Sequence, residues 1–260
     1  MTSLGFERCC DEIVTQTDLL RSHVKNADMT ASVPTCPGWN LGQLLRHLGG
    51  HHRWAETVVR TRATEPVPDD VLNDVSAYTD EDAAVLDPWL AEGAERLAET
   101  LREAGPDVPV WSPADEHATD RSPRFWARRA THETVVHRAD AALAVGADYA
   151  VAEEVARDGL EEWLGFSTVP EAYEGVPGLL GPGHTLHFHA AGAAGEWLVD
   201  LTGEAPSWRH AHEKAAVAAR GPITDLLLYV YNRPAPGVEL IGDTALLELW
   251  RQSAGFWLEA

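Results

Sequence analysis

The sequence predicts an α plus α+β protein, with an amino-terminal four-helix bundle over residues 1–150 and a smaller carboxy-terminal α+β domain over 151–260. Three observations carry this. Long stretches of the first half repeat their apolar residues at the helical period, and each opens on a capping signal. A proline- and glycine-rich stretch over 169–183 marks a change of character. Beyond it, residues 184–201 alternate as strands do around a glycine-containing turn. With 260 residues, 45% of them hydrophobic, and 10 tryptophans, the chain can bury a large core.

The first helix is expected from about Gly5 to Asn26, where Cys9, Ile13, Leu19, Leu20 and Val24 form an apolar stripe. The second opens after Pro37-Gly-Trp-Asn, with Asn40 as its N-cap, and carries His47 among Leu44, Leu45 and Leu48. The third begins near Asp80 or Asp82, continues through Leu86, Trp89, Leu90, Leu97 and Leu101, and stops at Gly105-Pro106. The fourth opens at Ser122-Pro123 and reaches about Leu143, with proline in the first turn, where its missing N–H costs nothing. A further helix over 151–164 leads into the second domain. There 184–190 and 196–201 read as a hairpin, with 208–212 and 215–219 extending the sheet. Helices over 223–231 and 244–250 should pack on one of its faces. No internal repeat is visible.

Charge narrows the partners. Lys and Arg total 20 against 41 Asp and Glu, a formal net charge of -21, which repels phosphate backbones and anionic lipid surfaces. Neither nucleic acid nor a membrane is expected as a partner, and an anionic substrate would need a locally positive pocket. No apolar run approaches the length that spans a bilayer. Cys9, Cys10 and Cys36 cannot build a disulfide framework, and the first residues lack a basic region followed by an apolar run, so a reducing cytoplasm is expected.

The most informative stretch is Phe125-Trp-Ala-Arg-Arg-Ala-Thr-His-Glu-Thr-Val-Val-His-Arg-Ala-Asp140. At about 100° per residue, Glu133 and His137 stack one turn apart on one face, whereas His132 lies roughly 140° away from His137. The string is therefore not the metalloprotease His-Glu-x-x-His, whose two histidines are the stacked pair. His47, an imidazole on an inward-facing stripe, needs a partner to offset its burial. His47, Glu133 and His137 together are a candidate metal set, since two imidazoles and a carboxylate with an open fourth position make a typical catalytic zinc site. Asp140 is placed to orient His137 from behind.

Val33-Pro-Thr-Cys-Pro-Gly-Trp39 with Leu44-Leu-Arg-His-Leu48, and the 125–140 stretch, resemble the mycothiol-dependent maleylpyruvate isomerase family of the DinB-like metal-binding superfamily. Thr224-Asp-Leu-Leu-Leu-Tyr-Val-Tyr-Asn-Arg233 and Gly242-Asp243 extend the resemblance into the family's carboxy-terminal domain. It implies a DinB-like bundle, zinc or another divalent metal on His47, Glu133 and His137, and mycothiol as the thiol cosubstrate. In the family's namesake reaction, thiol addition to a conjugated cis double bond permits rotation, and loss of the thiol leaves the trans isomer; simple S-transfer would stop at the adduct. The expected activity is thus transferase or isomerase chemistry on a small electrophile bearing a carboxylate. Arg233 aligns with an arginine of the family's second domain and is the candidate catalytic residue, a guanidinium able to grip that carboxylate with two parallel hydrogen bonds. Two other readings stay open: a zinc hydrolase using metal-bound water, and a non-catalytic metal or ligand sensor.

Other residues receive plainer readings. His187 and His189 would share a strand face but show no third ligand in the sequence. Cys36 precedes His47 by a distance of roughly 15 Å if helical, so it reads as packing beside Trp39. Of Arg128 and Arg129, one is expected to face solvent.

Overall fold

The computed structural model describes residues 4–69, 74–113 and 121–255. The chain divides into two compact units, Met1–Tyr149 and Ala150–Ala260.

The first unit is built on α1 (Phe6–His23), α2 (Leu41–Thr61), α3 (Ala83–Ala104) and α4 (Pro123–Val145). Three of their starts follow from side-chain caps, while α1 opens on Gly5 without one. Asn40 accepts from the Gln43 N–H at 2.9 Å while the Gln43 side chain accepts from the Asn40 N–H at 3.0 Å, a reciprocal box that satisfies two orphan donors of α2. Asp82 caps α3 through the Ala84 N–H at 2.8 Å, and Ser122 caps α4 ahead of Pro123. α1 ends at His23 rather than at Asn26, because Asn26 itself turns left-handed at φ 64°. α1 and α2 each pack against both α3 and α4.

Two apolar clusters fill the bundle. One contains Leu20, Leu41, Leu44, Leu45, Leu48, Leu86, Leu90 and Ala141. The other gathers Ile13, Ala55, Val58, Val59, Leu97, Leu101, Trp126, Ala127 and Ala130. Along α2 the segment from His47 to His51 falls between the two, and along α4 so does the segment from Glu133 to His137. The polar layer is thus sandwiched along the bundle axis, where an apolar packing on either side fixes both helices in register.

The contact of α2 with α3 is unusually close. A Cβ on Gly49 would lie 2.1, 2.6 and 2.9 Å from ring carbons of Trp89. That ring is held in place by the Arg53 guanidinium, 3.9 Å from its centroid, and by Arg46 at 4.6 Å. Gly49→Ala should gain about 1 kcal/mol in helix propensity but lose more, roughly 2–4 kcal/mol, through overpacking and the displaced cations. We expect a net loss of stability in urea denaturation, relieved when Trp89 is also replaced by leucine.

The second unit comprises α5 (Glu153–Phe166), a short 3-10 turn, β1 (Thr185–Ala190), β2 (Glu196–Asp200), β3 (Ser207–His210), β4 (Val217–Gly221), α6 (Ile223–Val230), β5 (Glu239–Gly242) and α7 (Thr244–Ala254). The sheet order is β3-β2-β1-β4-β5, with β1 parallel to β4 and every other neighbour antiparallel. Phe188 and its cross-strand partner Trp197 share the face covered by helices: Phe188 packs on Trp250 of α7 at 5.4 Å, and the Trp197 indole donates to Glu161 of α5 at 3.0 Å. α6 closes the same core through Tyr231, 4.2 Å from Trp163 of α5. The expected hairpin and its extensions are present, and β5 is an additional edge strand. Among the described residues no helix is long and apolar enough to cross a membrane.

Candidate metal centre

α2 and α4 bring His47, Glu133 and His137 together. Glu133 Oε1 lies 3.2 Å from His47 Nε2 and 2.9 Å from His137 Nε2, and the three ligand atoms are all within 4.8 Å of one another. In a tetrahedral zinc site with bonds near 2.0–2.1 Å, neighbouring ligand atoms stand about 3.3 Å apart. The donor set and its spacing therefore fit a zinc ion. Side-chain exposures of 13%, 20% and 10% leave the trio mostly enclosed but not sealed from solvent.

The outer atoms of the trio are also held. His137 Nδ1 pairs with Asp140 Oδ2 at 2.9 Å, which directs Nε2 toward Glu133, and Asp140 is itself fully buried. Glu133 keeps its second oxygen on Arg129, whose Nη2 donates at 2.9 Å. The His47 ring packs 4.9 Å from Trp39 and 5.0 Å from His137. Each ligand thus has a second contact that limits its rotation.

The electrostatics are those of a site built for a positive charge. Burial works against ionisation of Glu133, yet His137, the hydrogen bonds from His137 and His47, and Arg129 together hold the carboxyl well below its usual range. Burial likewise opposes a charge on His137, but Glu133 and the hydrogen bonds to Asp140, Cys36 and Glu133 outweigh it and raise the imidazole well above its ordinary value. A proton shared in this layer does what a cation would do there, and metal uptake should release it.

His132 is fully buried but joins no group of metal-competent side chains among the described residues, in keeping with its helical phase. His51 and His52 are buried as well. Burial pushes their pKa values down to about 4 and about 3, and His52 pairs with Thr134 Oγ1 at 2.9 Å. Both are neutral when folded and protonatable when unfolded, so the unfolded chain binds more protons below pH about 6.5. Stability should therefore fall as the pH drops from about 6.5 toward 4, by up to about 1.4 kcal/mol per pH unit for each histidine. Denaturation midpoints of wild type and His52→Gln across that range check the sign, with a shallower slope expected for the variant.

Cys36 lies nearer than its place in the sequence suggested. The 15 Å figure assumed a straight helix, but residues 33–39 fold back on themselves. The Val33 N–H reaches the Trp39 carbonyl at 2.9 Å, and Ser32 bridges Asn40. Cys36 Sγ ends 3.5 Å from Asp140 Oδ2, in one group with His137. The only sequence signal was the pair of prolines, Pro34 and Pro37, bracketing it. Of the two adjacent arginines, Arg129 holds the protein's own Glu133. Arg233 belongs to the second unit, where it is buried and donates to the Tyr231 carbonyl at 2.7 Å.

Comparison with known proteins follows the same division. Residues 10–142 match the mycothiol maleylpyruvate isomerase N-terminal domain, and residues 154–249 match the C-terminal domain of the same family. No curated protein matches the chain significantly. Among solved structures, a mycothiol-dependent maleylpyruvate isomerase aligns with a TM-score of 0.65 at 15% identity, covering 92% of this chain and 95% of that one. A histidine-to-alanine mutant of a mycothiol-dependent maleylpyruvate isomerase aligns with the same score and coverage at 14% identity. These likenesses show a shared fold. Because the N-terminal domain model alone spans half of the sequence and the second covers most of the remainder, the chain belongs to the mycothiol maleylpyruvate isomerase family.

Proposed function

We propose that this chain is a metal- and mycothiol-dependent enzyme of the reducing cytoplasm that isomerises, or transfers the thiol to, a small electrophile bearing a carboxylate. The observation that carries the reading is the convergence of His47, Glu133 and His137 within 4.8 Å on a bundle whose family is named for its thiol. These residues would hold zinc or a similar divalent ion. When bound, such an ion supplies a positive charge that keeps a coordinated thiol deprotonated near neutral pH. The protein's own groups do the remaining work. Asp140 and Arg129 fix the outer atoms of two ligands, Trp39 backs the third, and burial keeps water from competing with the thiol. Arg233 remains the candidate catalytic residue on its side-chain chemistry alone, a planar, always charged guanidinium being suited to a carboxylate.

The test is elemental analysis of wild type and His47→Ala, each then titrated with mycothiol by calorimetry and assayed for cis-trans conversion of maleylpyruvate. One metal ion per chain fewer in the variant, with thiol binding and turnover lost alongside it, is expected. Ester or amide turnover by wild type without thiol would replace the proposal by hydrolysis. Metal binding with no thiol effect would replace it by sensing.

A milder variant probes the support of the site. Asp140→Asn keeps the size of the side chain but removes the charge behind His137, and should weaken metal affinity by roughly 10–100-fold. Competition against a chromophoric chelator measures it. An unchanged affinity would show that Asp140 serves packing alone.

A further inference from the structure

The sheet of the second unit carries a cluster that the proposed reaction does not use. His187 and His189 of β1 project from the face opposite the helices, since their cross-strand partners are Leu198 and Glu196 while Phe188 and Trp197 point the other way. Glu196 stands directly across from His189. After β3 the chain leaves the sheet, with the Ala211 N–H still on the Glu196 carbonyl at 3.3 Å, and His212 turns back over the same carboxylate.

The result is a carboxylate surrounded by imidazoles. Glu196 Oε2 pairs with His212 Nδ1 and lies 3.6 Å from His187 Nε2, while Oε1 lies 3.6 Å from His189 Nε2. The ligand atoms of His187, Glu196 and His212 are within 4.8 Å of one another. The three rings stand 5.8–6.4 Å apart, centroid to centroid. His187 is 8% exposed, and its Nε2, aimed into the cluster, is buried without a hydrogen bond. A buried imidazole nitrogen at that distance from a carboxylate oxygen is close to the tetrahedral ligand edge of about 3.3 Å. An unsatisfied buried nitrogen costs free energy that a metal bond would offset.

We propose that His187, Glu196 and His212 form a second divalent-metal site, flanked by His189 and suited to zinc. Imidazole-rich sets with one carboxylate favour zinc and its late first-row neighbours over magnesium or calcium. Its ligands come from β1, β2 and the segment after β3, so the bound ion would tie that segment to the sheet. The site is independent of the bundle trio: it shares no residue with it and lies in the other unit.

Zinc stoichiometry of the full chain tests this, by equilibrium dialysis at low micromolar free zinc after chelator stripping. His212 is exposed and Glu196→Gln preserves shape, so neither variant should endanger folding. Wild type is expected to bind two ions, His212→Ala and Glu196→Gln one each, His47→Ala one, and His47→Ala/His212→Ala none. Loss of a direct ligand should weaken the sheet site by more than the roughly 10–100-fold that an outer-shell partner is worth. In the His47→Ala background, zinc should raise the melting temperature only while His212 is present. An undiminished count in both His212→Ala and Glu196→Gln would overturn the proposal, whatever happens at His47. A single ion lost with His212 but not with His47 would support it and count against the bundle site instead.

Discussion

Replacing Glu133 or His137 by alanine should strip the bundle of its metal and abolish thiol-dependent turnover, whereas His132→Ala should leave both in place. The three residues lie within six consecutive positions of one helix, and all three are largely buried, so composition and burial cannot separate them. Phase can. Glu133 and His137 stack one turn apart with 2.9 Å between Oε1 and Nε2, facing His47 of α2, while His132 points elsewhere in the core. Removing a direct ligand should cost more than the roughly 10–100-fold in affinity that an outer-shell partner is worth. Alanine at 133 would also leave His137 and Arg129 without the carboxylate that now faces both. His132→Ala should instead lose about 1–3 kcal/mol of stability, the usual cost of emptying a buried polar position. Metal content is best read in the His212→Ala background, so that only the bundle site is counted. Loss of metal from His132→Ala equal to that from His137→Ala would sink the assignment.

What could be read from the chain, and what could not, follows how far apart in sequence the interacting groups lie. Helix starts were legible because caps are local: Asn40, Asp82 and Ser122 each act within three residues of themselves. The stacking of Glu133 with His137 was legible because helical phase is also local, and His47 was marked as their partner by its place on an apolar stripe before the resemblance implied the same three. The burial of His132 was not legible. α4 is packed on nearly every side, so apolar periodicity along it is weak and phase says which residues stack, not which are exposed. Three further features depend on long-range folding. These are the parallel pairing of β1 with β4, the return of Cys36 to Asp140, and the meeting of His187 with Glu196 and His212. For Cys36 sequence distance misled, since residues 33–39 fold back on themselves. Glu196, nine residues past His187, is brought beside it by the neighbouring strand, and His212 by the turn after β3.

The largest stability loss is expected from Trp126→Ala, about 3–5 kcal/mol. Trp126 is fully buried, its indole N–H donates to the Trp111 carbonyl at 2.8 Å, and its ring meets Trp54 edge to face at 4.9 Å with Phe125 at 5.4 Å. Its position bears on the metal as well. Trp126 stands seven residues before Glu133 on α4, and Trp54 seven after His47 on α2, close to two full turns in each helix. The two helices therefore touch at two levels, through Trp54 and Trp126 at one and through His47 and Glu133 at the other, which requires them to run in opposite directions. A cavity at the first level loosens the clamp that sets the second. The metal should still bind, because Asp140 and Arg129 hold their ligands from within α4 and do not depend on the tryptophan. Trp126→Ala should thus lower the denaturation midpoint sharply while weakening metal affinity less than Asp140→Asn does. Trp126→Phe, which keeps most of the volume and forfeits the hydrogen bond, should recover much of the stability, within about 1–2 kcal/mol of wild type. Urea denaturation with and without zinc separates the two effects, since a ligand that binds only the folded state adds stability that grows with the logarithm of its affinity. A Trp126→Ala protein as stable as wild type would mean that the aromatic layer is not what holds α2 against α4.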